Sequence, residues 1–171
     1  MSQLTQLVYI SRSTFAGPEN FKGAIEPTAE KILFKARVNN RNSGLSGVLC
    51  LGDGCFLQCL EGEEAPMNHL LLKLRKDSRH SHFTMLWQTP IKTRSFGSWE
   101  MKFVAVHGPM MTWLESLGYE RFDPYQFDEP MVRRVLNFLG SVEGVLSFQG
   151  ATTGGTGDSG SLGQQSDENR L

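Results

Sequence analysis

The sequence has no run of about twenty apolar residues, the length a membrane-spanning helix needs. Its first residues, MSQLTQLVYISRS, lack the uninterrupted apolar stretch of a secretory signal. These two absences point to the cytoplasm. An excess of charge is missing as well: 17 Lys and Arg against 18 Asp and Glu give a formal net charge of −1. That balance excludes the phosphate-collecting surface of a nucleic-acid binder and the polybasic anchor of a membrane-surface protein. Cysteine is scarce. Cys50, Cys55 and Cys59 are odd in number and contain no CxxC pair, which excludes a disulfide scaffold. Cys55 and Cys59 fall on one face of a strand, and the four histidines are scattered, so no metal set is expected. The cysteines read as small buried hydrophobes.

What is present is one domain's length of chain, 171 residues with 39% hydrophobic content. Glycine is the one enriched residue, and six of the 18 glycines fall between Gly150 and Gly163. Residues 149–171 (QGATTGGTGDSGSLGQQSDENRL) have almost no apolar side chains and are expected to be a disordered tail. The tail carries Asp158, Asp167, Glu168 and Arg170, so the body, residues 1–148, is slightly positive.

The body reads as a series of short elements. Residues 4–12 are rich in β-formers and make a first strand, with Leu7, Tyr9 and Ser11 on one face and Val8 and Ile10 on the other. Residues 13–26 hold Gly17, Pro18 and Gly23 and read as a loop. Pro27 suits the first turn of a helix. Ala29, Ile32, Leu33 and Ala36 form its apolar stripe, and Asn39, Asn40, Asn42, Ser43 and Gly44 are expected to stop it around residues 38–40. Residues 45–51 and 55–61 make a hairpin across Gly52-Asp53-Gly54. Gly62 is expected to end it. Met67, Leu70, Leu71 and Leu74 mark a second helix. Residues 82–89 read as a fourth strand and 98–106 as a fifth, with Trp99, Met101, Phe103 and Ala105 on one face and Glu100 and Lys102 on the other.

The order β-α-β-β-α-β is the ferredoxin-like arrangement, an α+β fold, here with a fifth strand. Two short amphipathic helices (MMTWLESLGY and MVRRVLNFLG) follow, expected to cover the bare sheet face or mediate dimerisation. The expected division is a core at 1–106, a helical extension at 107–148 and the tail at 149–171.

Several polar residues fall on apolar faces. Gln58 lies between Phe56 and Leu60 on the third strand, and a buried amide without partners is costly. Tyr9 lies between apolar neighbours on the first strand. Each has an ordinary reading as a satisfied core residue. So do Trp99 and Met101 as core filling, Asn39 and Asn40 as a helix stop, Lys73 and Asp77 as an exposed i,i+4 pair, and His80 as a loop residue. Together they converge between helices and sheet, where a planar heteroaromatic ligand would find apolar walls and hydrogen-bonding groups at its rim. Lys73, Arg79 and His80 would stand at the mouth, suited to phosphates.

These stretches resemble the BLUF family of blue-light sensors using FAD. The resemblance is carried by LVYIS (7–11), ARVNNRNSGLSGVLC (36–50), FLQCLEGE (56–63), RKDSRHS (75–81) and SFGSWEMK (95–102), in order, across residues 4 to about 106. It implies a non-covalent flavin, FAD or else FMN or riboflavin. It implies that Tyr9 is the photoactive electron donor and that Gln58 lies between that tyrosine and flavin N5 and O4. Asn40, preceded by Asn39, would hold the pyrimidine edge, with Ile32 and Phe56 at the ring. Lys73, Asp77, Arg79 and His80 would serve the ribityl and phosphate end, and Trp99 and Met101 would relay the signal. Tyr can give up an electron and proton together, and Gln carries both donor and acceptor, so a turned amide swaps what it presents. A new hydrogen bond to the flavin C4 carbonyl would shift absorption to the red. Two departures stand out: the 12–26 loop is long, and Ser46 replaces a common Thr.

The resulting expectation is a sensor without an enzymatic activity of its own. It would form a homo-oligomer and speak to an unidentified downstream signalling protein, with no nucleic acid, membrane or metal involved. Two alternatives remain open to the sequence: a light-insensitive flavin-binding or redox module, and an acylphosphatase-like hydrolase using Arg12 with Asn39 or Asn40. The latter lacks a Gly-rich phosphate cradle.

Overall fold

The computed structural model describes residues 3–15 and 27–142. The predicted tail at 149–171 and most of the predicted 13–26 loop lie outside them. The order is β1 (Leu4–Ser13), α1 (Pro27–Ser43), β2 (Ser46–Gly52), β3 (Cys55–Glu63), α2 (Glu64–Leu74), β4 (His80–Ile91), β5 (Lys102–Ala105), α3 (Pro109–Ser116), a single 3-10 turn (Pro124–Gln126) and α4 (Glu129–Ser141). The strands form one mixed sheet in the order β4-β1-β3-β2-β5. All neighbours are antiparallel except β2 and β5, which run parallel. This is the expected α+β ferredoxin-like core with its fifth strand.

Alternation along the central strands divides the core into two layers. Leu7, Tyr9, Leu49, Leu51, Phe56 and Leu60 share a layer with Leu33, Met67 and Met101. Val8, Ile10, Val48, Cys50, Cys55, Leu57 and Cys59 share the other with Met110, Leu114, Phe122, Val135 and Leu139. The late helices therefore cover the sheet face opposite α1 and α2, one of the two roles expected of them. The three thiols are buried and free. Burial raises their pKa values, which leaves them protonated and inert.

Several element ends differ from the expected ones, each for a local reason. Helix α1 runs past Asn40 to Ser43, because the Asn40 amide is engaged with a backbone carbonyl of another segment and does not unwind its own helix. It stops at Gly44, whose φ of 64° only glycine adopts freely. Strand β3 runs through Gly62, which stays in the ladder opposite Thr5. Strand β4 starts early, at His80, opposite Ser13. In the β2–β3 hairpin Asp53 and Gly54 both have positive φ, as the tight turn requires. A Cβ on Gly47 would lie 2.1 Å from the Cys59 carbonyl oxygen, so this position in β2 admits no side chain.

The largest correction concerns the fifth strand, which begins at Lys102 instead of residue 98. Trp99 still touches β2, but the carbonyls of Glu100 and Met101 between it and the strand are taken by side chains of α1. Trp99 O accepts from Gly47 N at 3.1 Å. Glu100 O accepts from Asn40 Nδ2 at 2.6 Å, and Met101 O from Arg37 Nε at 3.0 Å. Strand alternation therefore does not reach Trp99. It packs with the layer under α3 and α4, while Met101, Phe103 and Ala105 pack with the α1–α2 layer.

Candidate functional site

Helices α1 and α2 do not close over their sheet face. Between them lies a cavity of about 420 Å³, within the usual range of small-molecule sites. Strands β1, β2 and β3 supply its floor through Tyr9, Leu49, Phe56 and Gln58. Ile32 and Ala36 from α1 and Leu70 and Leu74 from α2 are its apolar walls. The mouth is polar: Asn39, Lys35, Lys73, Lys76, Asp77, Ser78, Arg79 and His80.

At the floor the Tyr9 hydroxyl donates to Gln58 Oε1. That bond turns the amide so that Gln58 Nε2 donates to Met101 Sδ at 3.5 Å. Both residues are buried, at 3% and 5% exposure. Burial first, and the charge of Asp77 second, push the Tyr9 phenol far above its ordinary value. It stays protonated through the working pH range and acts as a donor to Gln58. The amide is a two-position element: a half-turn would present Nε2 to Tyr9 and reverse the sense of their bond.

His80 fixes one end of the cavity. Its Nε2 lies 2.6 Å from Leu74 O, which can only accept, so this nitrogen carries the proton. In the neutral ring Nδ1 then accepts from Ser11 Oγ at 2.8 Å. His80 thus ties the end of α2 to β1, two residues from Tyr9. Phe83 stacks on the Tyr9 ring at 4.6 Å. Arg79 Nε and Nη2 grip the Asp77 carboxylate at 2.5–3.1 Å. The Arg79 hydrogen bond leads the causes that hold the Asp77 carboxyl below the usual range. Asp77 is therefore bound to Arg79, not to Lys73 as the i,i+4 spacing suggests.

The structure gathers Tyr9, Ile32, Asn39, Phe56, Gln58, Lys73, Asp77, Arg79 and His80 around one cavity. Met101 reaches it only through Gln58. Asn40 is 1% exposed and lies off the cavity lining, with Nδ2 on Glu100 O. Trp99 is on the far face. There its ring covers the Lys102 ammonium at 4.1 Å.

Sequence patterning does not single out every polar residue of the site, Ser78 at the mouth among them. Lys35 and Lys76 add charge to the mouth. Their signal was spacing: Lys35 follows Ile32 by three on α1, and Lys76 adjoins Asp77. Glu61 is fully buried, accepting from Gln6 Nε2 at 3.0 Å and Phe96 N at 2.8 Å. Arg94 donates to Gly44 O, Ser46 Oγ and Glu61 O at 2.7–3.2 Å. Glu61 and Arg94 latch the segment that leads into Trp99 and Met101.

Residues 4–102 match the family described as "BLUF: Sensors of blue-light using FAD". The chain belongs to the BLUF family. Its relatives include the photoactivated adenylate cyclase subunits beta and alpha of Euglena gracilis, 31% and 33% identical over 101 residues, or 59% of this chain. The chain spans about a tenth of the length of those relatives, 11% and 9%. Among solved structures, the BlsA photo-activated state superposes with a TM-score of 0.71 at 30% identity, covering 82% of this chain and 96% of that one. The BlsA ground state gives the same TM-score and identity, covering 82% and 89%. The dark-state BLUF protein BlrB, at 24% identity and a TM-score of 0.62, covers 82% and 97% and shows the shared fold.

The BLUF family binds a flavin, and the cavity fits one. Its apolar walls suit a flat ring system. The Tyr9–Gln58 pair suits a polar ring edge, and the three lysines suit anionic groups leaving the mouth. Among the described residues no helix is long and apolar enough to cross a membrane.

Proposed function

We propose that this chain is a blue-light photoreceptor that holds FAD non-covalently and signals through the Tyr9–Gln58–Met101 contact. The observation that carries the reading is that chain of hydrogen bonds at the cavity floor: Tyr9 Oη to Gln58 Oε1, and Gln58 Nε2 to Met101 Sδ. When bound, the flavin supplies absorption of blue light and a transient place for one electron and one proton. Tyr9 is the donor of both. Burial keeps its phenol protonated, and a phenol that gives up an electron becomes strongly acidic, so the hydroxyl proton leaves with it. Gln58 is the switch. Once the Tyr9 proton has moved, Oε1 loses its donor and the amide can settle in the reversed orientation, after which the electron and proton return to Tyr9 and no net redox change remains. Met101 then loses the Nε2 donor, and the segment ahead of β5 registers the change.

The remaining residues serve to hold the cofactor. Ile32 and Phe56 flank the ring, and Asn39 meets its polar edge. Asn40, off the cavity lining with Nδ2 on Glu100 O, steadies the segment ahead of β5 instead. Lys73, Arg79, Asp77 and His80 order the mouth, and the added charge of Lys35 and Lys76 favours a phosphorylated flavin over riboflavin. Residues 1–106 form the sensor core and 107–148 the extension. The output is a protein–protein contact or a change of oligomer, in the cytoplasm, without an enzymatic step in this chain. Absorption spectra of the purified protein in the dark and under blue light test the reading. The expected result is a yellow protein with a reversible red shift. A colourless protein, or one with no shift, would overturn it. Mass spectrometry of the flavin released by heat identifies its form, with FAD expected.

A further inference from the structure

We propose that Lys102 is a positioning residue through which β5 holds the C-terminal end of α4, so that movement of β5 at the Gln58–Met101 contact frees that end of the helix. The inference rests on the light-switching reading above and names where the switch leaves the sensor core.

A lysine inside an apolar layer is costly unless its ammonium finds acceptors. Lys102 is 7% exposed, in a strand whose other residues are Phe103, Val104 and Ala105. Its Nζ donates to Leu139 O at 2.8 Å and to Val142 O at 2.6 Å. Helix α4 ends at Ser141, so Leu139 O is one of the last-turn carbonyls with no N–H donor within the helix. A cation there also complements the negative end of the helix dipole. The Trp99 ring closes the site at 4.1 Å from Nζ, a cation–π contact shielded from water. Burial lowers the ammonium pKa, and the two carbonyl acceptors are what hold the charge in place. No other lysine of the described residues is buried.

Position gives this clamp its consequence. Met101 and Lys102 are consecutive residues whose side chains go to opposite layers. Met101 Sδ accepts from the Gln58 amide in one layer, and Lys102 Nζ donates to the end of α4 in the other. A twist or slide of the backbone at this point moves both. Trp99, two residues earlier, moves with them and uncovers the ammonium. Leu139 O and Val142 O then lose their donor, and the last turn of α4 loosens.

Hydrogen–deuterium exchange of the flavin-loaded full chain, in the dark and under continuous blue light, tests this. In the wild type, amides 139–142 should exchange several-fold faster in the light. In Lys102→Met, which keeps length and apolar character without charge, they should exchange fast in both conditions, while the red shift is retained. Lys102→Arg, which keeps the donors, should restore a light-dependent difference. If Lys102 were only structural glue, Lys102→Met would be less stable but would keep the wild-type light–dark difference, and that result overturns the proposal. So does a red-shifting wild type with no change in α4 exchange, a comparison that stands even if Lys102→Met does not fold. Absence of the red shift in the same wild-type sample refutes the photoreceptor reading instead.

Discussion

On one face of the sheet, Leu7, Tyr9, Leu49, Phe56 and Leu60 look toward α1 and α2 and a cavity of about 420 Å³. On the other, Val8, Ile10, Val48, Cys50, Leu57 and Cys59 lie under α3 and α4 in a layer filled by Phe122, Leu114, Val135 and Leu139. Both faces are built from the same strands by the same alternation. They differ in what covers them. The first is spanned by two helices that stand apart, with half-buried Ile32, Ala36, Leu70 and Leu74 at the gap. The second is filled by side chains exposed by 8% or less, with partly buried residues such as Trp87, Trp113 and Phe138 packed at its margin. The lesson is a division of labour: chemistry sits where packing is incomplete, and cohesion sits where it is complete.

The strongest way to break this comparison is at the cavity floor. Tyr9→Phe and Gln58→Leu should each abolish the normal light-induced red shift while flavin remains bound, as read by dark-minus-light difference spectra. A wild-type photocycle in either would remove the chemistry from this face. Next comes cohesion. Phe122→Ala should cost about 3–5 kcal/mol in urea unfolding. Ile32→Ala, at the half-buried cavity wall, should cost about 1 kcal/mol in the flavin-free protein and show up mainly as weaker flavin retention. Equal losses at the two positions would end the distinction between the faces.

The smallest effect lies at the mouth. Arg79 depresses the Asp77 carboxyl, so the pair contributes stability above the ordinary carboxyl pKa of about 3.9 and loses it as pH falls through the lower folded value. Both groups are partly exposed, so the contribution should be at most about 1 kcal/mol. Urea midpoints compared between pH 5 and 3 should fall more steeply in wild type than in Asp77→Asn. Identical slopes would show that the mouth adds nothing to stability.

Much of this organisation was legible in the sequence, because period-two alternation along β1 and β3 assigns Tyr9 and Gln58 to one face without any tertiary information. The amphipathic pattern of 109–141 announced helices with a face to bury. Illegible were features set by long-range hydrogen bonds. Alternation extended back from Phe103 wrongly carried Trp99 onto the Met101 face, since nothing local shows that Arg37 and Asn40 take the Met101 and Glu100 carbonyls. The same alternation placed Lys102 opposite Met101 correctly, yet could not reveal that α4 would bury it. Asn40 is the converse case: the motif marked it, and the fold commits its Nδ2 to backbone away from the cavity lining.

The two margins of the sheet are not alike. Strand β4 is twelve residues long and pairs with β1 along most of that length. Strand β5 has four residues and one hydrogen-bonded neighbour, with pairs from Val48↔Lys102 to Leu51↔Ala105. The latter margin is therefore the compliant one. A shift of β5 disturbs a single short ladder and leaves the β1–β3 centre, with Tyr9 and Gln58 in it, mechanically undisturbed. On the proposed reading, a sheet stiff at Tyr9 and Gln58 and yielding at β5 can be driven through many cycles without its receiver losing alignment.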